Sequence, residues 1–478
     1  LHPLRDLGRL LLLLAVTSCA LSARAEVTGW RGGGAGDFAG SQAPKRWSKS
    51  EGVRWVTPLR GRSNASPIVV GSRVFVLDAP AALVAVDADK GGVLWRREHP
   101  VVDFLPASEA ARLKPLLAAA DQQEEQLEAL RKEIAALKRQ ARRGPAAGRV
   151  AAKAALEQKE PSANELKRGL DALEVYRNRE ARGVVGYTSP TPVSDGKRVY
   201  TLLSNGVIAA YTLSGEKRWG RWLGEHTIVM TGFHSGQTAS PALVDGVLVV
   251  PYADLLGLDP ATGEERWNAG PYPHFSAPTP HKVGGDWVLV MPDGQVRRAR
   301  DGKELRRPRE TMYFVSPVVS AGMVIFAGTA PGGPLGANQL RVRAERMRLQ
   351  GPDALVSDVV WEKTLPKTTE VYAQATAHDG LLYVIAQGAI RAFDVTSGEL
   401  VFEENAAIVR DPVFASPMVT SDTIYVHSAD GSTALIAPGR VFRELGVNSV
   451  GEGFWASPII SGGHIFVRSF ERLWCIGP

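Results

Sequence analysis

The side chains able to do chemistry are few in this sequence, and they form no catalytic or metal-binding constellation. Of nine histidines, His226 and His234 share one long loop, where two imidazoles read as polar loop residues rather than as metal ligands. Asp87, Asp259 and Asp394 fall at equivalent places of a repeating unit, which marks them as turn caps and not as catalytic acids. There is no Walker loop, no His-Glu-x-x-His and no Gly-x-Ser-x-Gly. Gly32 to Gly36 is glycine-rich, but no Lys-Ser/Thr follows, so it reads as a flexible lead-in. The two cysteines, Cys19 and Cys475, lie near opposite ends and leave no internal disulfide. These residues predict no catalytic centre, no metal site and no cofactor.

What could position a binding site is a repeat. One unit reads Ser-Pro, a short apolar strand, a Gly/Asp turn, a second apolar strand, then Ala-x-Asp-x-x-x-Gly-x-x-x-Trp. Its starts recur at Ser66, Ser189, Ser240, Ser316, Ser416 and Ser457, with degenerate starts at Ala277-Pro278 and Ala375-Thr376. That makes eight units, several of them 37 to 41 residues apart, the length of a four-stranded propeller blade. The second half keeps its offsets in Ala85, Asp87, Gly91, Trp95; in Ala209, Tyr211, Gly215, Trp219; in Gly257, Asp259, Gly263, Trp267; and in Ala392, Asp394, Gly398, Phe402. Glycine admits the positive φ of the turn. Trp95, Trp219, Trp267 and Phe402 supply apolar plates that dock one blade on the next. The last unit shows three strands and stops at Pro478, whereas Val53-Arg54-Trp55-Val56 precedes the first. The two ends are therefore expected to share the eighth sheet, with the early segment outermost. Trp30 and Gly32-Gly33-Gly34 are expected to lie across the surface before it.

Two residues before several of these starts stands an aromatic: Tyr187, Phe275, Phe314, Phe414 and Trp455. Equivalent positions fall on one circle about the axis. The set is expected to line a mouth of the central funnel, where it could grip a peptide or extended strand. The plainer alternative is that each ring packs on the neighbouring blade.

Residues 106–182 break the repeat with Ala, Glu, Lys, Arg and Leu, all good helix formers. Leu113, Leu116, Ala120, Gln123, Leu127, Leu130, Ile134, Leu137 and Ala141 form a heptad seam. Gly144-Pro145 ends the first helix. A second stretch is expected to break at Pro161 and restart at a capping box, Ser162-Ala163-Asn164-Glu165. The reading is an antiparallel helical hairpin, either an arm for a partner or a pair folded flat on the ring. The chain thus divides into an export segment (1–25), a closing strand with blade 1 (26–105), the hairpin (106–182) and blades 2 to 8 (183–478). The fold class is all-β, an eight-bladed β-propeller with an inserted α-helical hairpin or coiled coil.

The export segment carries Arg5 and Arg9 before a short apolar run, Leu10 to Val16. Val16-Thr17-Ser18-Cys19 reads as a lipobox with Cys19 lipidated, and Ala23-Arg24-Ala25 reads as a competing cleavage site. The net charge of +6 includes no Lys/Arg run of the kind that binds nucleic acid.

The eight units resemble the pyrroloquinoline-quinone-like (PQQ-like) repeat propellers. In plan they are similar to the lipoprotein propeller of the outer-membrane β-barrel assembly machinery, from which the helical insertion departs. The resemblance implies a cofactor-free periplasmic or cell-surface scaffold, attached to a membrane, if at all, by lipid alone. Such a scaffold holds a protein partner through its funnel mouth or its hairpin. The resemblance also implies an alternative, since quinone-dependent dehydrogenases use the same ring with the quinone, calcium and a carboxylate near the axis. The alcohol-oxidising members add a vicinal disulfide, and this sequence has no adjacent cysteines. The resemblance therefore carries over blade residues and no catalytic residue. Polysaccharide or cell-wall binding is a third expectation, because aromatic platforms serve it too.

Overall fold

The computed structural model describes residues 26–177, 188–226, 228–230, 233–235, 238–309, 314–330, 338–366, 371–386, 388–406 and 413–478. The export segment with Cys19, and Tyr187, lie outside the described residues.

Short β-branched runs separated by glycine turns fold as antiparallel ladders, and eight sheets of four strands result. Blades 1 to 7 span residues 68–98, 193–222, 242–271, 279–306, 318–366, 376–405 and 418–449. Blade 8 is made by both ends of the chain. Ile459–Ser461, His464–Arg468 and Arg472–Ile476 are its inner three strands, and Val53–Pro58 is the outermost. Val53 pairs with Ile476, Trp55 with Cys475 and Pro58 with Arg472. In blade 1 the second and third strands, Arg73–Asp78 and Ala82–Asp87, are buried almost throughout, whereas the fourth, Val93–Glu98, is half-exposed. These two strands are covered on both faces, because a neighbouring blade lies on each side. Apolar clusters fill the interfaces of blades 1–2, 2–3, 3–4, 4–5, 5–6 and 6–7, and one further cluster joins blades 7, 8 and 1.

The docking plates follow a consistent rule. Trp95 of blade 1 lies on Gly215 of blade 2, Trp219 on Gly263 of blade 3 and Trp267 on Gly302 of blade 4. Two plates that the offsets did not reveal do the same, Trp55 on Gly91 and Trp361 on Gly398. A Cβ on Gly263 would stand 2.5 Å from the Trp219 ring, so the glycine is required for space as well as for its φ of 77°. Each indole N–H also donates to a carbonyl of the blade it lies on: Trp95 to Leu213 at 3.0 Å, Trp219 to Pro260 at 3.1 Å, Trp361 to Val395 at 2.8 Å. Phe402 has no such donor and meets Phe442 of blade 7 edge-on. Beside each turn the aspartates act as caps: Asp87 accepts from the N–H groups of Asp89 and Lys90, and Asp394 from those of Thr396 and Ser397.

Blade 4 replaces the plate with a charge. Arg306 reaches buried Glu345 of blade 5 at 2.5 Å and Ser357 at 2.6 Å. Burial works to raise the Glu345 carboxyl, but the Arg306 hydrogen bond and charge outweigh it and hold the group below its ordinary value.

The insertion is two helices, α1 (Ala107–Arg143) and α2 (Ala146–Leu173), joined by the turn at Gly144-Pro145. Leu113, Ala120, Leu127, Ala163, Leu170 and Leu173 form a core of their own. Two expectations are corrected. Leu116 is 43% exposed, and Leu117 packs in its place, since the i+4 neighbour of Leu113 faces α2. Pro161 does not break α2: the helix runs through it, and Ser162 donates to the Gln158 carbonyl at 3.3 Å instead of capping. Contacts with α1 on both sides of Pro161, including Ala152, Ala163 and Leu170, hold the helix across the missing N–H. The root packs on blade 2, where Tyr176 meets Trp222 and Phe104 covers Gly220.

Trp219→Ala is expected to lower stability by about 3–5 kcal/mol, and Gly263→Ala to be destabilising through its clash with the same ring. The double variant should lose less than the sum, because the clash is gone once the indole is removed; urea unfolding of the three variants measures this. A second expectation concerns acid. Burial lowers His99 to about 4 and His427 to about 3. Both are neutral in the fold but take up a proton in the unfolded chain below its ordinary histidine range. Stability should therefore be full above about pH 6.5 and fall as pH drops toward 4, with a slope of up to about 1.4 kcal/mol per unit for each group. Urea midpoints at pH 7 and pH 5 would show a smaller difference for His427→Leu than for the parent.

Candidate functional site

The first strands converge on the axis, and a hydroxyl ladder runs between their starts. The N–H of Ser66 donates to Thr191 Oγ1 at 3.1 Å, that of Thr191 to Ser240 Oγ at 2.9 Å, that of Gln374 to Ser416 Oγ and that of Ser416 to Ser457 Oγ, both at 3.0 Å. This ladder corrects the register of two units. In blade 2 the start is Thr191-Pro192, not Ser189-Pro190, and in blade 6 it is Gln374-Ala375, not Ala375-Thr376. Blade 2 misleads because two residue-proline pairs stand in succession, and only the second leads directly into its strand at Val193.

Two residues before each start stands one member of a circle of eight: Asn64, Ser189, Thr238, Phe275, Phe314, Tyr372, Phe414 and Trp455. All eight line a single cavity on the axis. The circle is divided chemically. Blades 1 to 3 contribute small polar side chains, and blades 4 to 8 an unbroken aromatic arc. Phe275 stacks on Phe314 at 5.3 Å between centroids, Phe314 meets Tyr372 at 5.1 Å, Tyr372 meets Phe414 at 5.0 Å and Phe414 stacks on Trp455 at 4.2 Å. The guanidinium of Arg62 continues the arc, 3.8 Å over Trp455 and 4.4 Å over Phe470. The aromatics therefore both pack on their neighbours and face the cavity. Tyr372 escaped the sequence reading because the register of blade 6 was one residue out; correct alignment of Gln374 with Ser416 would have found it. The circle position of blade 2 belongs to Ser189 rather than Tyr187.

The cavity has a floor that the sequence did not suggest. The glycine-rich lead-in does not lie across the outer surface: it crosses the axis. Val27 bridges to Val69 of blade 1, and the Thr28 carbonyl accepts from Ser194 of blade 2. On the far side Arg31 donates to the carbonyls of Ala375 and Pro417 and to Thr376 Oγ1, and Asp37 bridges to Val419 of blade 7. Trp30 lines both the funnel and a second cavity, and so stands between them. Arg31 is wholly buried, and burial pulls its guanidinium down to about 9. Gly36 is obligatory here, for a Cβ would run into that guanidinium. Carbonyls left inside a narrow channel need a donor, and a long cationic fork supplies several at once.

His226 stacks edge-on against Tyr252, and no group of three or more His, Cys, Asp or Glu suited to a metal occurs among the described residues. Arg31→Ala should leave buried acceptors without a donor and cost about 1–3 kcal/mol. Hydrogen exchange at residues 28–38 should accelerate together with a lowered melting temperature, while blades 3 and 4 keep their protection.

Comparison with known proteins agrees with this geometry. The family model described as outer membrane protein assembly factor BamB matches residues 46–229 and 174–274. No curated protein sequence matches the chain. Among solved structures, BamB from Moraxella catarrhalis is 14% identical, over 60% of this chain and 93% of that one, with a TM-score of 0.38. Quinohemoprotein alcohol dehydrogenase ADHIIG from Pseudomonas putida HK5 is 10% identical, over 91% of this chain and 78% of that one, with a TM-score of 0.51. The corresponding enzyme from Comamonas testosteroni is 10% identical, over 95% and 80%, with a TM-score of 0.52. At these identities the dehydrogenases are similar in fold alone. Eight four-stranded sheets, repeats that dock tryptophan on glycine and the family model matching residues 46–274 together support a PQQ-like repeat propeller.

Proposed function

We propose that this protein is a non-catalytic scaffold outside the cytoplasm, and that it holds an extended segment of a partner polypeptide across the mouth of its funnel. The observation that carries this reading is the divided circle. An aromatic arc accepts apolar side chains of an extended segment, and the opposite polar arc of Asn64, Ser189 and Thr238 can serve its backbone amides. The floor made by Trp30, on a segment anchored by Arg31, leaves the funnel as a docking mouth rather than a through-channel. The outer-membrane assembly role named in the family description is the setting in which such a grip on unfolded strands would serve. A lipid on Cys19 would hold the ring at a membrane, since no described helix is long and apolar enough to cross one.

The chemistry of the lining speaks against the dehydrogenase alternative. The family's quinone is bound with calcium, which takes oxygen ligands and prefers carboxylates. No Asp or Glu lines the axial cavity among the described residues, and Trp30 closes its floor. These residues do not fit the quinone and calcium together.

Replacing Tyr372 and Trp455 together by serine should weaken binding of unfolded, aromatic-rich β-strand peptides by about tenfold or more. Because both rings also pack on their neighbours, the melting temperature should fall too, so binding is compared at a temperature where circular dichroism shows both proteins folded. Fluorescence anisotropy with labelled peptides measures it. Unaltered peptide affinity, or stoichiometric uptake of the quinone with calcium accompanied by dye reduction, would overturn the proposal. Binding of glycans but not peptides would move the arc to polysaccharide recognition.

A further inference from the structure

We infer that the tip of the helical hairpin is a docking surface for an anionic membrane. Along the hairpin's middle the lysines are matched: Lys138 pairs with Glu160 at 2.7 Å, Lys159 with Glu133 at 2.6 Å and Lys132 with Glu128 at 2.7 Å. Beyond them the balance ends. Residues 134–156 contain no Asp or Glu. Arg139, Arg142, Arg143, Arg149 and Lys153 all stand exposed about the Gly144-Pro145 turn, and none makes an ion pair among the described residues.

Helix stability does not account for them. Arg142 and Arg143 suit the carboxyl end of α1, but Arg149 and Lys153 sit in the first turns of α2, where a cation opposes the helix dipole and no acidic residue offsets it. Packing does not account for them either, because the hairpin core consists of residues nearer its root, such as Leu113, Leu127, Ala163 and Leu170. The 37 residues of α1 carry this charge about 55 Å along the helix at 1.5 Å per residue.

The shape favours lipid over a folded acidic protein. The tip is the short Gly144-Pro145 turn between two helices, and its exposed cations stand on both. Its aliphatic content is Val150, 71% exposed, among alanines. A flat anionic surface needs only charge and a small apolar contact from such a tip, and each basic residue near it contributes measurably. A folded protein partner would have to offer carboxylates matched in position to cations on both helices.

The test is co-sedimentation of the full chain with vesicles of phosphatidylcholine alone or mixed equally with phosphatidylglycerol. The comparison is a variant with Arg139, Arg142, Arg143, Arg149 and Lys153 all changed to Gln. The parent should bind the phosphatidylglycerol vesicles, release them in about 0.5 M salt and ignore phosphatidylcholine. The variant should bind at least about tenfold more weakly at an unchanged helical signal and melting temperature. Arg142→Gln with Arg143→Gln should fall between, which keeps the test decisive if the fivefold variant folds poorly. Equal binding to both vesicle types, or equal binding by parent and variants, would overturn the inference. So would retention on polyglutamate without retention on vesicles, which would assign the tip to an acidic protein. Any lipid at the amino terminus is common to parent and variants, so their difference reports the tip alone.

Discussion

The inner strands of this protein are covered on both faces and mostly apolar, and everything else follows from that constraint. A sheet of this kind cannot meet water on either side; it is stable only between two others. Buried valine, leucine and isoleucine side chains contribute about 1.5–3 kcal/mol each, and clusters of them fill every blade interface around the ring. Such an arrangement has no natural end unless it closes. Closure falls to blade 8, whose outer strand comes from residues 53–58 and whose inner strands come from residues 459–476. One ladder of backbone hydrogen bonds thus joins residues more than 400 positions apart and protects the edge that would otherwise remain open.

Closure also fixes the angle between neighbours, and there the tryptophan plates act. A flat indole on a glycine turn permits a close approach that no side chain at the turn would allow, and the indole N–H ties the contact to a carbonyl. Where the plate is lost, between blades 4 and 5, Arg306 and Glu345 substitute a buried ion pair. Such a pair is geometrically strict and sensitive to removal of either partner. The ring is therefore uniform in geometry while differing in chemistry from one seam to the next.

That difference reaches the axis. Eight equivalent backbone positions must form a circle, but nothing in blade packing dictates their side chains. Three are small and polar and five are aromatic, so the symmetric scaffold presents an asymmetric mouth. The amino-terminal segment adds a second asymmetry by crossing the channel from blades 1 and 2 to blades 6 and 7 and closing one side of it. Function on a symmetric fold has to be sought in such departures from symmetry.

Taken alone, the sequence determined the eight units, the turn glycines and aspartates, the meeting of the chain's ends in one blade and the helical nature of the insertion. All of these rest on local spacing, and local spacing is preserved wherever a strand or turn has its ordinary length. Only the tertiary structure decided the rest. Trp361 was hidden because the long hairpin of blade 5 moves it away from the usual offset, although it still faces a small residue, Ala344, across the ladder. Tyr372 was hidden by a one-residue slip that the hydroxyl ladder corrects. The passage of Gly29–Gly36 through the axis leaves no periodic signal, because its partners are carbonyls of blades hundreds of residues later. The continuity of α2 through Pro161 likewise depends on α1 packed beside it. Periodicity records which residues face the same way; what they face is fixed only when distant parts of the chain are brought together.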